Sequence, residues 1–443
     1  MKVVPFPTGA LSFSLVSMPK QKEYILFITS VSNKGIEAVN TYNKKKGTSY
    51  KIVVLRDKNK KSWDLIAKKK NIHALLTCDF NKPHDIEKTL SPFKTTIKAA
   101  TFYGDGNAVL FAKIVPHLPY INLPSAQSLE WSTDKIAMRQ LFEAYDKTIT
   151  PSFTIVKDAE EKSIEKIIKK VGFPLVIKPA GLAASLLVTM CYHEDELRAS
   201  LKKVFKKIQK IYKENNRTTV PKLLVEQFME GEMYSIDAYV SRTGEVVFCP
   251  LVYVKTGKAI GFDDFFGYLR ITPTQLKPTT LQKAQVVAEK AIHAMNLRST
   301  VAHIELMRTE DGWKVIELGP RIGGFRHEMY ALSFGIDHSL NDLYTRLGEK
   351  PFVGKKQKAF VAVLNFYAKK EGILKNVVGL RKVKKLESFQ AITQHIQTGQ
   401  KCLYAKHGGK SVCNVTLSHK SRPKLLADIR RTEQMISIDL EEK

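Results

Sequence analysis

The chain has 443 residues, 44% hydrophobic and 26% charged, with 71 Lys and Arg against 43 Asp and Glu for a formal charge of +28. This is ordinary globular composition for about three domains, and no apolar run reaches the roughly 18 residues a membrane span needs. The five cysteines are scattered without metal spacing and the serine-broken patch at 11–16 does not read as a signal peptide, so a reducing, cytoplasmic setting is expected. The positive charge is spread over clusters such as Lys44–Lys46, Lys58–Lys61 and Lys202–Lys210. It is not gathered with aromatic readout groups, which reads as a solvated surface that attracts anions such as ATP rather than a nucleic-acid interface.

Residues 24–125 alternate strand and helix. YILFITS, KIVVLRD, NIHALLTCDF and IKAATFYGD are strands, and 34–45 and 83–90 are helices. Such alternation predicts a parallel sheet with helices on its faces. Without a G-x-G-x-x-G fingerprint, the module is Rossmann-like with no dinucleotide site of its own. Pro116, Pro119 and Pro124 mark a boundary near 125. Ser132 and Thr133 then offer N-caps to a helix holding Lys135, Met138, Leu141 and Phe142.

The strand SFTIV and a lysine-backed helix over 159–170 follow. GFPLVIKPAG is a buried-looking strand that ends in Lys178 and runs into the small-residue loop Gly181–Ser185. A lysine there suits triphosphate oxygens, since the loop lends N–H groups and the lysine lends charge; a solvated strand-end lysine is the bland alternative. Over 194–212, Leu197, Leu201, Val204, Phe205, Ile208 and Ile211 form one helical stripe, read as covering a sheet rather than a membrane surface. KLLVEQFMEGEMYSIDAYVS reads as strand, turn, strand, and VVFCPLVYV continues the sheet. The Gly-, Asp- and Phe-rich stretch 255–276 reads as a mobile or substrate-covering loop, and 279–295 as a helix.

Ser299–Gly324, STVAHIELMRTEDGWKVIELGPRIGG, reads as a hairpin about Glu310-Asp311-Gly312. A three-residue loop puts Glu305 opposite Glu317, with Ala302, Ile304, Leu306, Ile316 and Leu318 on the core face and His303 and Val315 beside the glutamates. Opposed carboxylates about 5 Å apart repel, and a hard divalent cation is the natural offset. A two-residue loop would shift the register and break the pairing. Leu-Gly-Pro-Arg-Ile-Gly-Gly follows at once and sets Arg321 beside the carboxylates. Beyond Pro351 come the strand KAFVAVLNFYA, short elements, a helix over 423–435 and the strand ISIDL.

Taken in order, these motifs resemble the ATP-grasp superfamily, and within it the bacterial carboxylate–amine ligases that include L-amino-acid ligases. The resemblance implies an α/β (α+β) fold of three parts: a pre-ATP-grasp Rossmann-like domain (1–125), a two-lobed ATP-grasp domain (126–350) and a small C-terminal α+β domain (351–443). It implies that Lys135 and Lys178 hold phosphates with Ser185 of the loop between them and the next strand. Glu226 and Met229 would flank the adenine hinge, and Glu232 would take the ribose hydroxyls. Glu305 and Glu317 would ligate Mg²⁺ (or Mn²⁺), and Arg321 would be catalytic, steadying the transferred phosphoryl group. His303, Gly323 and Gly324 would face the substrate, with a supporting role for His303 as the alternative. Two positions depart from the pattern. Gly319 stands where an asparagine ligand is common, and Ala183, Ala184 and Leu187 stand where glycines are frequent. The implied reaction joins a carboxylate to an amine through an acyl phosphate, releasing ADP and phosphate. Transfer to a non-carboxylate acceptor or a thiol, and nucleotide or RNA binding without turnover, are the alternatives. A homodimer is the expected assembly on general grounds.

Overall fold

The computed structural model describes residues 22–59, 71–180, 187–214, 220–262 and 264–441. The patch at 11–16 and the Gly181–Ser185 loop lie outside them, and Ser185 with it. The first module is a four-stranded parallel sheet in the order β3-β2-β1-β4, built from β1 (Tyr24–Ile28), β2 (Lys51–Asp57), β3 (Ile72–Cys78) and β4 (Ile97–Phe102). Both faces of β1 are buried, which is why its sequence is a continuous apolar run instead of an alternating one. Helices α2 (Pro83–Leu90), α3 (Ala108–Ile114) and α4 (Ala126–Trp131) supply the core on one face; α1 (Asn33–Lys46) covers the other.

The small lobe is an antiparallel sheet in the order β5-β8-β6-β7: β5 (Phe153–Val156), β6 (Leu175–Pro179), β7 (Thr189–Cys191) and β8 (Leu223–Gln227). It is introduced by α5 (Lys135–Asp146) and backed by α6 (Glu161–Lys170) and α7 (Glu194–Glu214). The stripe Leu197, Leu201, Val204, Phe205 and Ile208 is buried against this sheet, so α7 is a covering helix. Asp134, rather than Ser132 or Thr133, caps α5: its Oδ1 accepts from the amides of Ile136 and Ala137. Ser132 and Thr133 instead donate their hydroxyls back to the carbonyls of Ser128 and Glu130. Aspartate outcompetes them because an ionised acceptor strengthens a cap.

The second sheet carries the other wall of the central cleft. Its strands are β9 (Glu232–Val240), β10 (Val246–Phe248), β11 (Val252–Thr256), β12 (Gly267–Thr272), β13 (Thr300–Thr309) and β14 (Gly312–Gly319), joined by β15 (Phe360–Phe366), β17 (Phe389–Gln394) and β19 (Cys413–His419). The order is β14-β13-β9-β11-β12-β15-β19-β17, with β10 paired to β9. The sheet therefore runs straight across residue 350, and the chain beyond it extends the central sheet. β16 (Gly372–Val378), β18 (Lys401–Cys402) and β20 (Ser437–Leu440) form a separate small sheet. The stretch 255–276 contains β12 in mid-sheet instead of being a loop throughout; Leu269 and Ile271 are buried. Its glycines and Asp264 mask a short strand.

Helix α8 (Pro278–Ala294) packs on one face through Ala284, Ala288 and Ala291, spaced by four and three so that small side chains line one stripe. On the opposite face sit α9 (Arg326–Phe334) and α10 (His338–Arg346). Leu340 and Leu343 of α10 enter the core of the first module, and Thr101 donates to Asp342 at 2.6 Å, so α10 couples that module to the cleft. The remaining helices are α11 (Leu380–Val383) and α12 (Arg422–Met435). All five cysteines are buried and unpaired with one another. No helix among the described residues is long and apolar enough to cross a membrane.

Candidate active site

The β13–β14 hairpin closes on the two residues Glu310 and Asp311, with Thr309 opposite Gly312 and Leu306 opposite Val315. That register alone would misalign the glutamates. A bulge at Ile316 adds one residue to β14, and beyond it Glu305 faces Glu317 directly, Ile304 faces Leu318 and His303 faces Gly319. The bulge also exchanges the expected faces of two neighbours. Val315 is wholly buried in the core, whereas Ile316 lines the cleft.

The bulge has an identifiable clamp. Arg139 of α5 donates from Nη1 to the Val315 carbonyl at 2.9 Å and from Nη2 to the Ile316 carbonyl at 2.7 Å. Consecutive carbonyls of a regular strand point to opposite sides, so one guanidinium reaches both only where the pleat is interrupted. The same guanidinium holds Glu226 of β8, Nε to Oε1 at 2.6 Å, and Lys178 of β6 pairs with the other carboxylate oxygen. Burial alone would raise the Glu226 carboxyl, but Arg139 and Lys178 outweigh it and hold it down at about 2. Glu226 is thus a buried brace between the two lobes and not an adenine ligand through its side chain.

A cleft of about 1090 Å³, including its open mouth, lies between the lobes. Lys135, Lys178, Glu305 and Glu317 line it, and so do the hinge residues Gln227, Phe228 and Met229. Lys135 Nζ lies 2.8 Å from Glu317 Oε1. Each lysine expected to hold phosphate therefore rests on a carboxylate. Burial would raise Glu305, yet His303, Arg321 and Arg270 hold its carboxyl at about 2, so it is an anion ready for a cation. The Arg270 guanidinium stacks 5.2 Å from the Phe325 ring centre, and burial lowers its pKa to about 10.

Behind Glu305 lies a buried polar network that the sequence patterns do not announce. Asp237 of β9 is the cross-strand partner of His303 and is fully buried. Its Oδ1 accepts from His303 Nδ1 at 2.6 Å; its Oδ2 accepts from His338 Nε2 and the Gly323 amide, each at 2.8 Å. Burial would raise Asp237, but the two imidazoles hold it well below the usual carboxylate range. Since a carboxylate only accepts, His303 carries a proton on Nδ1 toward Asp237, and its Nε2 lies 3.7 Å from Glu305. Burial would lower its pKa, but the two carboxylates outweigh burial and raise it, which favours the imidazolium. His303 is 7% exposed and does not line the cleft, which makes it a support for Glu305 rather than a substrate contact.

Gly323 is likewise structural: a Cβ there would collide with the His303 imidazole and the Arg326 side chain. Gly324 is open, with no atom close to where a Cβ would stand, so it keeps room for a ligand. Gly323→Ala is expected to lower the melting temperature by several degrees, since a core overpacked by one methyl costs about 1–3 kcal/mol. Thermal unfolding by circular dichroism measures it. Glu232 is displaced from its expected role. Strand alternation brings Met233 into the cleft and turns Glu232 to Tyr234 (2.9 Å from its hydroxyl) and Arg308 (3.4 Å). Asp237 carries a sequence signal only in retrospect, as an acidic residue set among Ile236, Ala238, Tyr239 and Val240.

Residues 171–328, from just before β6 into α9, match the ATP-grasp domain family. The uncharacterised y4rH protein of Sinorhizobium fredii is 23% identical over 283 residues, 62% of this chain and 54% of that protein. The D-alanine–D-alanine ligase of Lactococcus lactis is 25% identical over 256 residues, 55% of this chain and 67% of that enzyme. The chain thus spans about half the length of the first of these relatives. Among solved structures, the L-amino acid ligase from Bacillus licheniformis superposes with a TM-score of 0.72 at 19% identity, covering 96% of this chain and all of that one. That likeness shows a shared fold over nearly the whole chain. Residues 171–328, which hold the cleft strands and the paired glutamates, thus form an ATP-grasp domain, set in a fold shared with that ligase over nearly the whole chain.

Proposed function

We propose that this protein is an ADP-forming carboxylate–amine ligase that takes amino-acid or small-peptide substrates. The observation that carries this reading is the Glu305–Glu317 pair, restored by a bulge and flanked by Lys135, Lys178 and Arg321. The resemblance in fold to an L-amino acid ligase and the sequence similarity to D-alanine–D-alanine ligases support the substrate class.

Two carboxylates and no third ligating side chain within reach among the described residues suit Mg²⁺, which is commonly held by one or two carboxylates, substrate phosphates and water. Glu305 and Glu317 would hold the cation, which would supply charge neutralisation for phosphoryl transfer. The chain's own residues supply the rest. In the reaction, a substrate carboxylate oxygen bonds to the γ-phosphorus, the bond to the bridging β,γ oxygen breaks, and ADP leaves. An amine then bonds to the acyl carbon, phosphate departs, and the amine loses a proton. Lys135, drawn by a triphosphate, would release an oxygen of Glu317. Lys178 would share its charge between Glu226 and phosphate, and Arg321 beside Glu305 would face the migrating phosphoryl group. His303, fixed by Asp237, would keep Glu305 oriented and ionised.

Incubation with MgATP and pooled amino acids, followed by mass spectrometry, tests the substrate class. The expected outcome is a dipeptide formed in equal amount to ADP and phosphate. Phosphorylated product without a new amide would contradict it.

A further inference from the structure

The cleft has a readable order. The hinge residues Gln227–Met229 mark one end, and Glu305, Glu317 and the two lysines mark the other. Between them Met233 of β9 pairs with Met307 of β13, and both line the cleft. Met307 is two residues from Glu305 on the same strand face, a separation of about 7 Å, the reach between a nucleotide's phosphates and its base through the sugar. Val176 and Ile316 complete the lining there. Of the remaining polar side chains, Gln227 and Thr256 also line the cleft. Gln227 ends β8 at the hinge, and Thr256 lies two residues past Val254, the β11 partner of Met233. Glu226 and Arg139 are committed to each other. Glu232, the carboxylate closest in sequence, faces Tyr234 and Arg308.

We propose that Met233 and Met307 make the sugar subsite apolar, so that the protein does not read the ribose 2′-hydroxyl and takes 2′-deoxyATP as readily as ATP. This rests on the nucleotide-binding reading of the cleft. A thioether is at most a weak hydrogen-bond acceptor and pays little for losing water, so a hydroxyl beside it gains nothing that its absence forfeits.

Isothermal titration calorimetry of the full chain with MgATP and with Mg-2′-deoxyATP, without acid or amine, tests this. The wild type is expected to bind the two within about threefold of each other. Met233→Glu places an ionised acceptor at the sugar and is expected to shift the ratio toward ATP by about tenfold, the worth of a hydrogen bond to a charged group. Wild-type preference for ATP of tenfold or more would overturn the proposal, with no variant needed. An unchanged ratio in a folded Met233→Glu would overturn the role of Met233. Binding of neither nucleotide would overturn the nucleotide reading beneath it, an outcome separate from a measured preference.

Discussion

Glu317→Gln is expected to lower acid-dependent ADP formation by about 100- to 1000-fold while leaving the fold intact. The scale is that of removing one preorganised charge-stabilising group from a phosphoryl-transfer site. Glu317 is half exposed, its ion-pair partner Lys135 sits at the mouth of a helix, and the change removes repulsion with Glu305. The melting temperature should therefore move by no more than about 2 °C, since exposed charge changes rarely exceed about half a kcal/mol. Glu305→Gln should differ. That carboxylate answers His303, Arg321 and Arg270, so its loss reduces activity and also leaves buried positive charge less compensated. Steady-state ADP release beside thermal unfolding separates the two variants. A Glu317→Gln activity within fivefold of wild type would remove this residue from the metal-holding pair.

Arg139→Ala should give the largest stability loss of any single change in the cleft. It strips the buried Glu226 of its bidentate partner and removes the guanidinium donor from the Val315 and Ile316 carbonyls. Breaking a buried pair by removing one partner costs about 3–5 kcal/mol, which for a domain of this size is about 10 °C in melting temperature. Arg139→Lys should recover little, because one ammonium cannot span a carboxylate and two carbonyls at once. Nucleotide binding should fall too, as the bulge relaxes and Glu317 drifts from Glu305. The pH dependence has a definite sign. Glu226 is held near 2 in the folded protein against an ordinary 4.5. Its contribution is therefore present above pH 4.5 and lost as pH falls from 4.5 toward 2. Without Arg139 the depression shrinks, so acid unfolding should begin at higher pH than in the wild type. Acid titrations followed by circular dichroism measure both curves.

The parts of this fold that were legible in the sequence are those where one period dominates. The continuous apolar runs of β1 and β2 and the striped helix α7 fall where their patterns put them, because burial on two faces or one stripe leaves a plain record. β12 was hidden because glycines, Asp264 and phenylalanines crowd its flanks. The glutamate pairing was reached by a route the sequence could not show. A two-residue loop breaks the register and a bulge mends it, and nothing local to Ile316 announces an extra residue. Its cause lies 177 residues away in Arg139, which in sequence is one more charge on an amphipathic helix. Glu232 misled for a simple reason: a one-residue offset on a strand reverses the face, and only the register with Arg308 reveals it.

The most direct test of the central claim is hydroxylamine trapping with MgATP and pooled amino acids. Hydroxylamine intercepts an acyl phosphate and leaves a hydroxamate. The expected product is a hydroxamate that depends on both the acid and ATP, formed with ADP and phosphate in equal amounts and reduced in Glu317→Gln as far as ADP formation is. AMP in place of ADP, or ADP formed with no hydroxamate from any acid, would contradict it.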